Sequence, residues 1–139
     1  MTSFHQFHLN LLKLGYNNLI KQPPFSQSED DYSAEADELL ALFQETITLY
    51  QEHAAEAFDL GQVLMTRLVR NYPQLTQLFA RDLLWLFGGD CIHYLADEEI
   101  SDFQTLDEAR YIKEAQNEAY DYLELRNAMI GEVQNPQAH

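Results

Sequence analysis

The chain has 139 residues, the length of one ordinary domain, and 46% of them are hydrophobic and 12% aromatic, which is a globular composition. Its net charge is −15, from 23 acidic residues against 8 Lys and Arg. A field of that sign repels the phosphates of nucleic acids and of anionic lipids, so the charge argues against direct binding to nucleic acid or to a membrane surface.

The cysteine content and the apolar runs bear on the cellular compartment. A single cysteine, Cys91, cannot form an internal disulfide. The longest apolar run, residues 83–89, is far shorter than the roughly 20 residues that span a bilayer. The N-terminus lacks the basic start and the clean apolar stretch of a signal peptide. We therefore expect a cytoplasmic protein without a membrane span.

The first predicted helix covers residues 3–21. Its apolar residues fall on one side of a helical wheel, and Ser3 is available as the N-cap. Two consecutive prolines end this helix, because proline cannot donate the backbone hydrogen bond that a helix requires. Residues 22–33 are predicted to form a polar, mobile loop that is anchored only where Phe25 or Tyr32 docks.

An acidic second helix is predicted over residues 34–58. Apolar residues at helical spacing line one of its faces, and glutamates line the opposite face. Asp59 followed by Gln62 imitates a capping box, so a third helix is predicted to start here, and Gly61 supports the break. The third helix is predicted to end at Asn71, before a Tyr-Pro pair.

Residues 73–95 are predicted to form a hydrophobic helix at the centre of the fold. The run LLWLF at residues 83–87 would surround a helix with apolar side chains, so other elements must cover it on all sides. Gly88 and Gly89 leave two alternatives: the helix continues, or it breaks and Asp90 becomes the N-cap of the next segment. We favour the break, because two glycines inside a helix cost about 2 kcal/mol.

The last helix is predicted over residues 105–130, starting at a capping box formed by Thr105 and Glu108. Residues 131–139 should fray. The buried stripe of this helix is predicted to consist of Tyr111, Ile112, Ala115, Ala119, Tyr122, Leu123, Met129 and Ile130. No run has the alternation of a β-strand, so the sequence predicts one all-α domain over residues 1–139, a bundle of about five helices.

Polar residues that interrupt the apolar stripes form a candidate ligand site. Asp90 and His93 have the i,i+3 spacing of the Glu-x-x-His element in di-iron bundles, but the second copy that such a metal site requires is absent. Arg126 interrupts the stripe of the last helix, and a buried guanidinium needs a carboxylate, for which Asp90 and Asp97 are candidates. The functional alternative is an anion-binding cleft lined by Arg126, His93 and tyrosines. No metal site, cofactor or catalytic residue is predicted.

Three other residues are predicted to have structural roles. His5 and His8, one turn apart on the first helix, are predicted to pack in the core or at an interface rather than bind a metal. Cys91 has no cationic neighbour in the sequence, so we expect it to pack as a small apolar residue rather than act as a nucleophile. A phosphate-binding loop and a serine-hydrolase motif are both absent from the sequence, which argues against an enzyme.

Residues 85–110 carry a family resemblance. The segments WLFGGDCIHYLADEEI and FQTLDEAR resemble a small family of functionally uncharacterised helical proteins from Pseudomonas-like gammaproteobacteria. The resemblance implies a bacterial cytoplasmic setting, and it carries no catalytic residue that could be transferred to this chain.

Without a complete catalytic constellation, the sequence indicates a non-enzymatic protein that acts by binding another protein. The acidic surface suits a basic or DNA-binding protein as the partner. The chain is also predicted to form a homodimer, since surplus apolar residues could form its contact: Phe4, Phe7, Leu9, Tyr16 and Phe25. The alternative function is a bundle that binds a small ligand, an anion or a metal through Asp90, His93 and Arg126.

Overall fold

The computed structural model describes residues 1–26 and 34–131, and every regular element in those ranges is helical. The prediction of a single all-α bundle is confirmed. Six α-helices and two 3₁₀-helices follow one another: α1 Phe4–Leu19, α2 Ala34–Gln51, α3 Glu56–Asn71, 3₁₀-helix Pro73–Leu78, α4 Arg81–Phe87, 3₁₀-helix Gly89–Tyr94, α5 Asp97–Ala115 and α6 Tyr122–Ile130. Within the described ranges, no helix is long and apolar enough to cross a membrane.

The hydrophobic core lies where α1, α2, α3 and α4 meet. The helices α2 and α3 pack along each other, while α1 contacts α2, α4 and α6, and α5 contacts α4 and α6. Fully buried side chains from four helices fill the core, among them Leu12, Leu39, Phe43, Leu64 and Leu83. Removing such side chains from water is the main force that holds these helices together.

The N-terminal region follows its prediction closely. Ser3 is the N-cap of α1, because its hydroxyl accepts a hydrogen bond of 3.1 Å from the backbone N–H of Gln6. Phe25 is 1% exposed and docks beside the ring of Tyr72, with 5.0 Å between the ring centroids. Residues 27–33 of the predicted loop, including Tyr32, lie outside the described residues, as do residues 132–139 of the predicted frayed end.

The break between the second and third helices lies earlier than predicted. Helix α2 ends at Gln51 and α3 already begins at Glu56. Gly61 therefore lies inside α3, where it serves close packing rather than a break: a Cβ atom there would be 2.1 Å from the Phe87 ring. The predicted capping role of Gln62 is also wrong, since its side-chain amide donates to the backbone carbonyl of Phe87 at 2.7 Å.

The predicted central helix over residues 73–95 is divided into three short helices. The favoured break at the glycines is confirmed, because Gly88 and Gly89 have φ values of 63° and 60°, which side chains with a Cβ rarely adopt. Asp90 is not an N-cap, since its side chain is exposed and makes no capping hydrogen bond. The apolar run is buried at Leu83, Leu84 and Phe87, whereas its other two residues are half-buried.

The predicted last helix is two helices. Thr105 lies inside α5 and its hydroxyl donates to the Ser101 carbonyl at 3.0 Å, so the predicted capping box is wrong. The start of α5 is capped by Glu99, which accepts a bond of 2.9 Å from the Ala96 backbone N–H. Asp121 caps α6 through a 3.2 Å bond from the Glu124 N–H.

This interruption leaves the first part of the predicted buried stripe in solvent. Tyr111 and Ile112 are 56% and 58% exposed, because α5 packs on the bundle through the side that carries Phe103 and Leu106. Tyr122, which opens α6, is buried as predicted.

The predicted dimer contact is largely used within the chain. Phe7, Leu9 and Phe25 are buried core residues, and Phe4 and Tyr16 are half-buried against that core. A surface contact between two subunits therefore cannot rest on these side chains.

Candidate functional site

The ion pair between Asp82 and Arg126 is the most deeply buried charged contact. Arg126 Nε donates to Asp82 Oδ2 at 2.9 Å and Arg126 Nη2 to Oδ1 at 3.0 Å. Arg126 Nη1 donates to the Gly131 carbonyl and to the Asn127 side chain. The expectation that a carboxylate meets Arg126 is confirmed, but the proposed partners Asp90 and Asp97 were wrong.

The position of Asp82 in the sequence did not indicate that it pairs with Arg126. Asp82 directly precedes the apolar run, so its place in the sequence looked like the polar boundary of a central helix. In the fold, Asp82 belongs to the first turn of α4, which lies inside the bundle, and the carboxylate is 2% exposed. A negative charge near a helix N-terminus is favourable, which offsets part of the cost of burying it.

The imidazole of His8 lies beside this ion pair in an aromatic enclosure. His8 Nδ1 is 2.8 Å from the Phe4 carbonyl oxygen, and the rings of Phe4, Phe7 and Tyr122 surround the imidazole at centroid distances of 4.3, 5.0 and 5.6 Å. Burial lowers the pKa of His8 to about 4, although the Phe4 carbonyl and the charge of Asp82 oppose that shift. His8 is therefore a neutral ring at neutral pH.

A second chain of contacts leads from the interior to the surface. The indole Nε1 of Trp85 donates to Asp107 Oδ2 at 2.9 Å. Asp107 Oδ1 is 3.5 Å from Arg110 Nη2. The Arg110 guanidinium lies over the ring of Phe4, 4.1 Å from its centroid, and 4.6 Å from that of Tyr111. Together these contacts join α1, α4 and α5.

The residues just described form one internal polar cluster: His8, Asp82, Asp107, Arg110, Tyr122 and Arg126. Its charged groups bond to one another, which leaves little capacity to bind a foreign ion. In the part of the chain that the structure describes, no three His, Cys, Asp or Glu side chains come close enough to hold a metal ion. A nearby cavity at Thr76 and Arg81 measures about 10 Å³, which is room for about one water molecule.

The other predicted ligand residues lie outside this cluster. Asp90, His93 and Asp97 are all exposed. No hydrogen bond or ion pair in the described ranges joins any of the three to Arg126, whose partners are Asp82, Asn127 and Gly131. Arg126 is buried whereas the other three are exposed, so the four residues differ in their access to solvent.

The remaining predicted structural residues pack as expected. His8 is buried, and His5 lies at the surface of the bundle, stacked on the rings of His53 and Tyr50 at 3.8 and 4.5 Å. Cys91 is fully buried, with Sγ 3.7 Å from the Gln62 carbonyl oxygen. Burial raises the pKa of the Cys91 thiol, which keeps it protonated and unreactive at neutral pH.

The comparison with known families bears on the whole chain. A family model described as PA2817-like matches residues 1–138. The chain belongs to the PA2817-like family. The match extends the resemblance noted for residues 85–110 over almost the entire sequence. No significant match was found among curated proteins or among solved structures.

Most basic side chains of this PA2817-like protein form ion pairs with acidic residues of the same chain. Five of its eight Lys and Arg residues form ion pairs with acids of the same chain: Arg67 with Glu38, Arg81 with Glu99, Arg110 with Asp107 and Glu114, Lys113 with Glu118, and Arg126 with Asp82. The chain has 15 more acidic than basic residues, and most acidic side chains in the described ranges form no ion pair.

The outward side of α5 combines acidic and apolar residues, and we name it the α5 outer face. Its exposed members are Asp97, Glu98, Ser101, Asp102, Thr105, Glu108, Tyr111, Ile112 and Ala115. Sequence reasoning missed this face, because Tyr111 and Ile112 were placed in a buried stripe. The available signal was the acidic run that begins at Asp97, which is typical of a helix start with solvent on one side.

Proposed function

We propose that this PA2817-like chain is a non-enzymatic protein that acts by binding a basic protein through its acidic surface. One observation carries the proposal: five of the eight basic residues are paired internally, while exposed carboxylates such as Glu45 on α2 and Asp102 and Glu108 on α5 form no ion pair in the described ranges. Such a field attracts a positively charged protein, including a DNA-binding protein, and speeds its association.

The alternative of a small-ligand, anion or metal site has less support. It depends on Asp90, His93 and Arg126 acting together. The guanidinium of Arg126 is already held at two points by Asp82, and the other two side chains are exposed. An incoming anion would have to displace a buried carboxylate from Arg126, which would leave that carboxylate unpaired at a cost of several kcal/mol.

The setting we propose is the bacterial cytoplasm. A cytosolic location suits a chain whose single thiol is buried and protonated, because no disulfide is then required for stability. The partner we propose is a different protein rather than a second copy, since two copies would each bring a net charge of −15 to the same interface.

The experiment compares two variants that change the net charge equally. Asp102→Lys/Glu108→Lys alters the α5 outer face, and Glu45→Lys/Glu52→Lys alters exposed positions on and beside α2. The wild-type protein and both variants are immobilised and used to capture proteins from a bacterial lysate at low and physiological ionic strength. We expect basic proteins to be retained by the wild type and lost from one variant more than from the other. Equal losses would indicate nonspecific attraction and would contradict the proposal.

A further inference from the structure

We infer that the α5 outer face binds an amphipathic helix of the basic partner, with Tyr111 and Ile112 as its apolar anchor. This inference rests on the proposed function, because it assumes that the partner is basic. It specifies the contact surface and the chemistry of the segment that the surface binds.

Two large apolar side chains are exposed next to each other in the sequence of α5. Tyr111 and Ile112 are adjacent, 56% and 58% exposed, and Ala115 continues the same side one turn later. The other large exposed apolar side chains lie outside α5, and no two of them are adjacent in the sequence: Met1 at 89%, Ile20 at 37%, Phe58 at 42%, Val63 at 48% and Met129 at 37% exposed. Neighbouring exposed apolar side chains with a polar rim are typical of a protein contact site.

Contacts within the chain hold the Tyr111 side chain of the anchor in place before a partner binds. The Tyr111 ring lies against the Arg110 guanidinium, 4.6 Å from the ring centroid. Arg110 is bound in turn by Glu114, at 3.3 Å. Tyr120 donates to the same Glu114 carboxylate at 2.9 Å, and burial together with that carboxylate raises the pKa of Tyr120 to about 12. A pre-organised anchor loses little conformational entropy on binding.

The charge of the α5 outer face determines which kind of molecule it can bind. Asp97 and Glu108 are exposed on the side of α5 that carries the anchor. The nearest lysine, Lys113, is 3.7 Å from Glu118 and is neutralised by it. A second copy of this chain would place the same acids opposite them, whereas a segment with Lys or Arg beside its apolar residues complements both parts of the face.

The length of α5 sets the size of the partner segment. Its 19 residues extend over about 28 Å at 1.5 Å per residue. A partner helix of four to five turns, roughly 15 to 18 residues, matches this length. Its apolar residues would lie over Tyr111 and Ile112, and its basic residues would lie over Asp97 and Glu108.

The test uses two synthetic peptides of about 18 residues, five helical turns, made of Lys and Leu only. One has the helical amphipathic spacing, and the other is a scrambled sequence of identical composition and charge. Binding to the full chain is measured by fluorescence anisotropy of the labelled peptides. The variant is Tyr111→Ser/Ile112→Ser, and the matched control, Ile20→Ser/Val63→Ser, removes two exposed apolar side chains elsewhere.

We expect the wild type to bind the amphipathic peptide about ten-fold more tightly than the scrambled one, and the anchor variant to lose at least that factor. The control variant should stay within about two-fold of the wild type. If the anchor variant bound the amphipathic peptide as tightly as the wild type does, or if the wild type bound both peptides equally, the docking site would be refuted. The charge-based function would not be affected by that result. If the wild type captured no basic protein from the lysate, the proposed function itself would be refuted. If sedimentation showed a dimer for the wild type and a monomer for the anchor variant, the occupant of the α5 outer face would be a second copy of the chain and not a partner helix.

Discussion

Asp82 and Arg126, 44 residues apart in the sequence, form a two-point ion pair with N···O distances of 2.9 and 3.0 Å in the interior of the bundle. The side chains are 2% and 6% exposed. The pair fastens α6 to α4, and few other buried contacts do so, because Tyr122 and Arg126 are the buried residues of α6. The ion pair therefore links α6 to α4, while Tyr122 packs on the Phe4 and Phe7 rings of α1 and α5 contacts α6 as well.

Replacing Arg126 by methionine should destabilise the protein strongly. Arg126→Met leaves the Asp82 carboxylate buried without a partner, which costs about 3–5 kcal/mol of unfolding free energy. Urea unfolding followed by circular dichroism measures this change. The control is Glu99→Gln, which weakens the Arg81–Glu99 pair near the surface and should cost under about 1 kcal/mol.

The double variant Asp82→Leu/Arg126→Met tests the same argument from the opposite direction. It removes both charges together, so we expect it to recover most of the stability that Arg126→Met loses. If Arg126→Met cost no more than Glu99→Gln, the ion pair would not be the fastening of α6.

Replacing Gly61 by alanine should destabilise the protein although helix propensity favours alanine. Propensity alone predicts a gain of about 1 kcal/mol. The new Cβ atom would lie 2.1 Å from the Phe87 ring, and overpacking of this kind costs about 1–3 kcal/mol. The measurement is the change in the thermal midpoint. The smaller side chain of Phe87→Leu should partly relieve the penalty in the double variant, and a higher midpoint for Gly61→Ala alone would refute the packing argument.

Acidification should destabilise the protein through His8 before its carboxylates contribute. The ordinary pKa of 6.5 is lowered to about 4 in the folded chain by burial. The unfolded state therefore binds more protons between pH 6.5 and 4, and stability falls across that window by up to about 3 kcal/mol. The carboxylates of Glu99 and Asp121 have lowered pKa values, so their contributions are lost only at lower pH.

The check is the unfolding free energy measured at several values between pH 7 and 5. His8→Gln should reduce the slope by about 1 kcal/mol per pH unit. His93→Gln serves as the control, because that ring is exposed. An unchanged slope in His8→Gln would show that His8 is not the group that titrates.

Cys91 should react with thiol reagents only when the fold opens. Its side chain is fully buried and burial raises the pKa of the thiol. We expect its rate of reaction with Ellman's reagent to be about a hundred-fold or more below that of an exposed thiol, and to rise with urea. The comparison is Cys91→Ala/Ser101→Cys, which places the thiol at an exposed position of α5. Equal rates would mean that the Cys91 region is open in solution.

Local features of the sequence were sufficient wherever a boundary depends on neighbouring residues. Ser3 predicted the start of α1, and the Tyr72-Pro73 pair predicted the end of α3 at Asn71. The break at Gly88 was also predictable, because the conformational cost of glycine inside a helix acts locally. These effects operate within one or two turns of the chain, so they can be derived without the tertiary structure.

Helical periodicity was misleading at two turns. Residues 52–55 separate α2 from α3, and residues 116–121 separate α5 from α6, yet apolar residues keep their spacing through both regions. A periodic pattern reports which side chains are apolar and not whether another helix covers them. For this reason Tyr111 and Ile112 were predicted to be buried, and the α5 outer face was missed.

The sequence by itself determined that the chain is an acidic all-α domain and that Arg126 needs a carboxylate partner. Only the tertiary structure decided that the partner is Asp82 and that the exposed Asp90 and Asp97 have no part in the pair. The physical reason is that the cost of an unpaired buried charge follows from residue type and local spacing, whereas the identity of its partner depends on how helices far apart in the chain pack together.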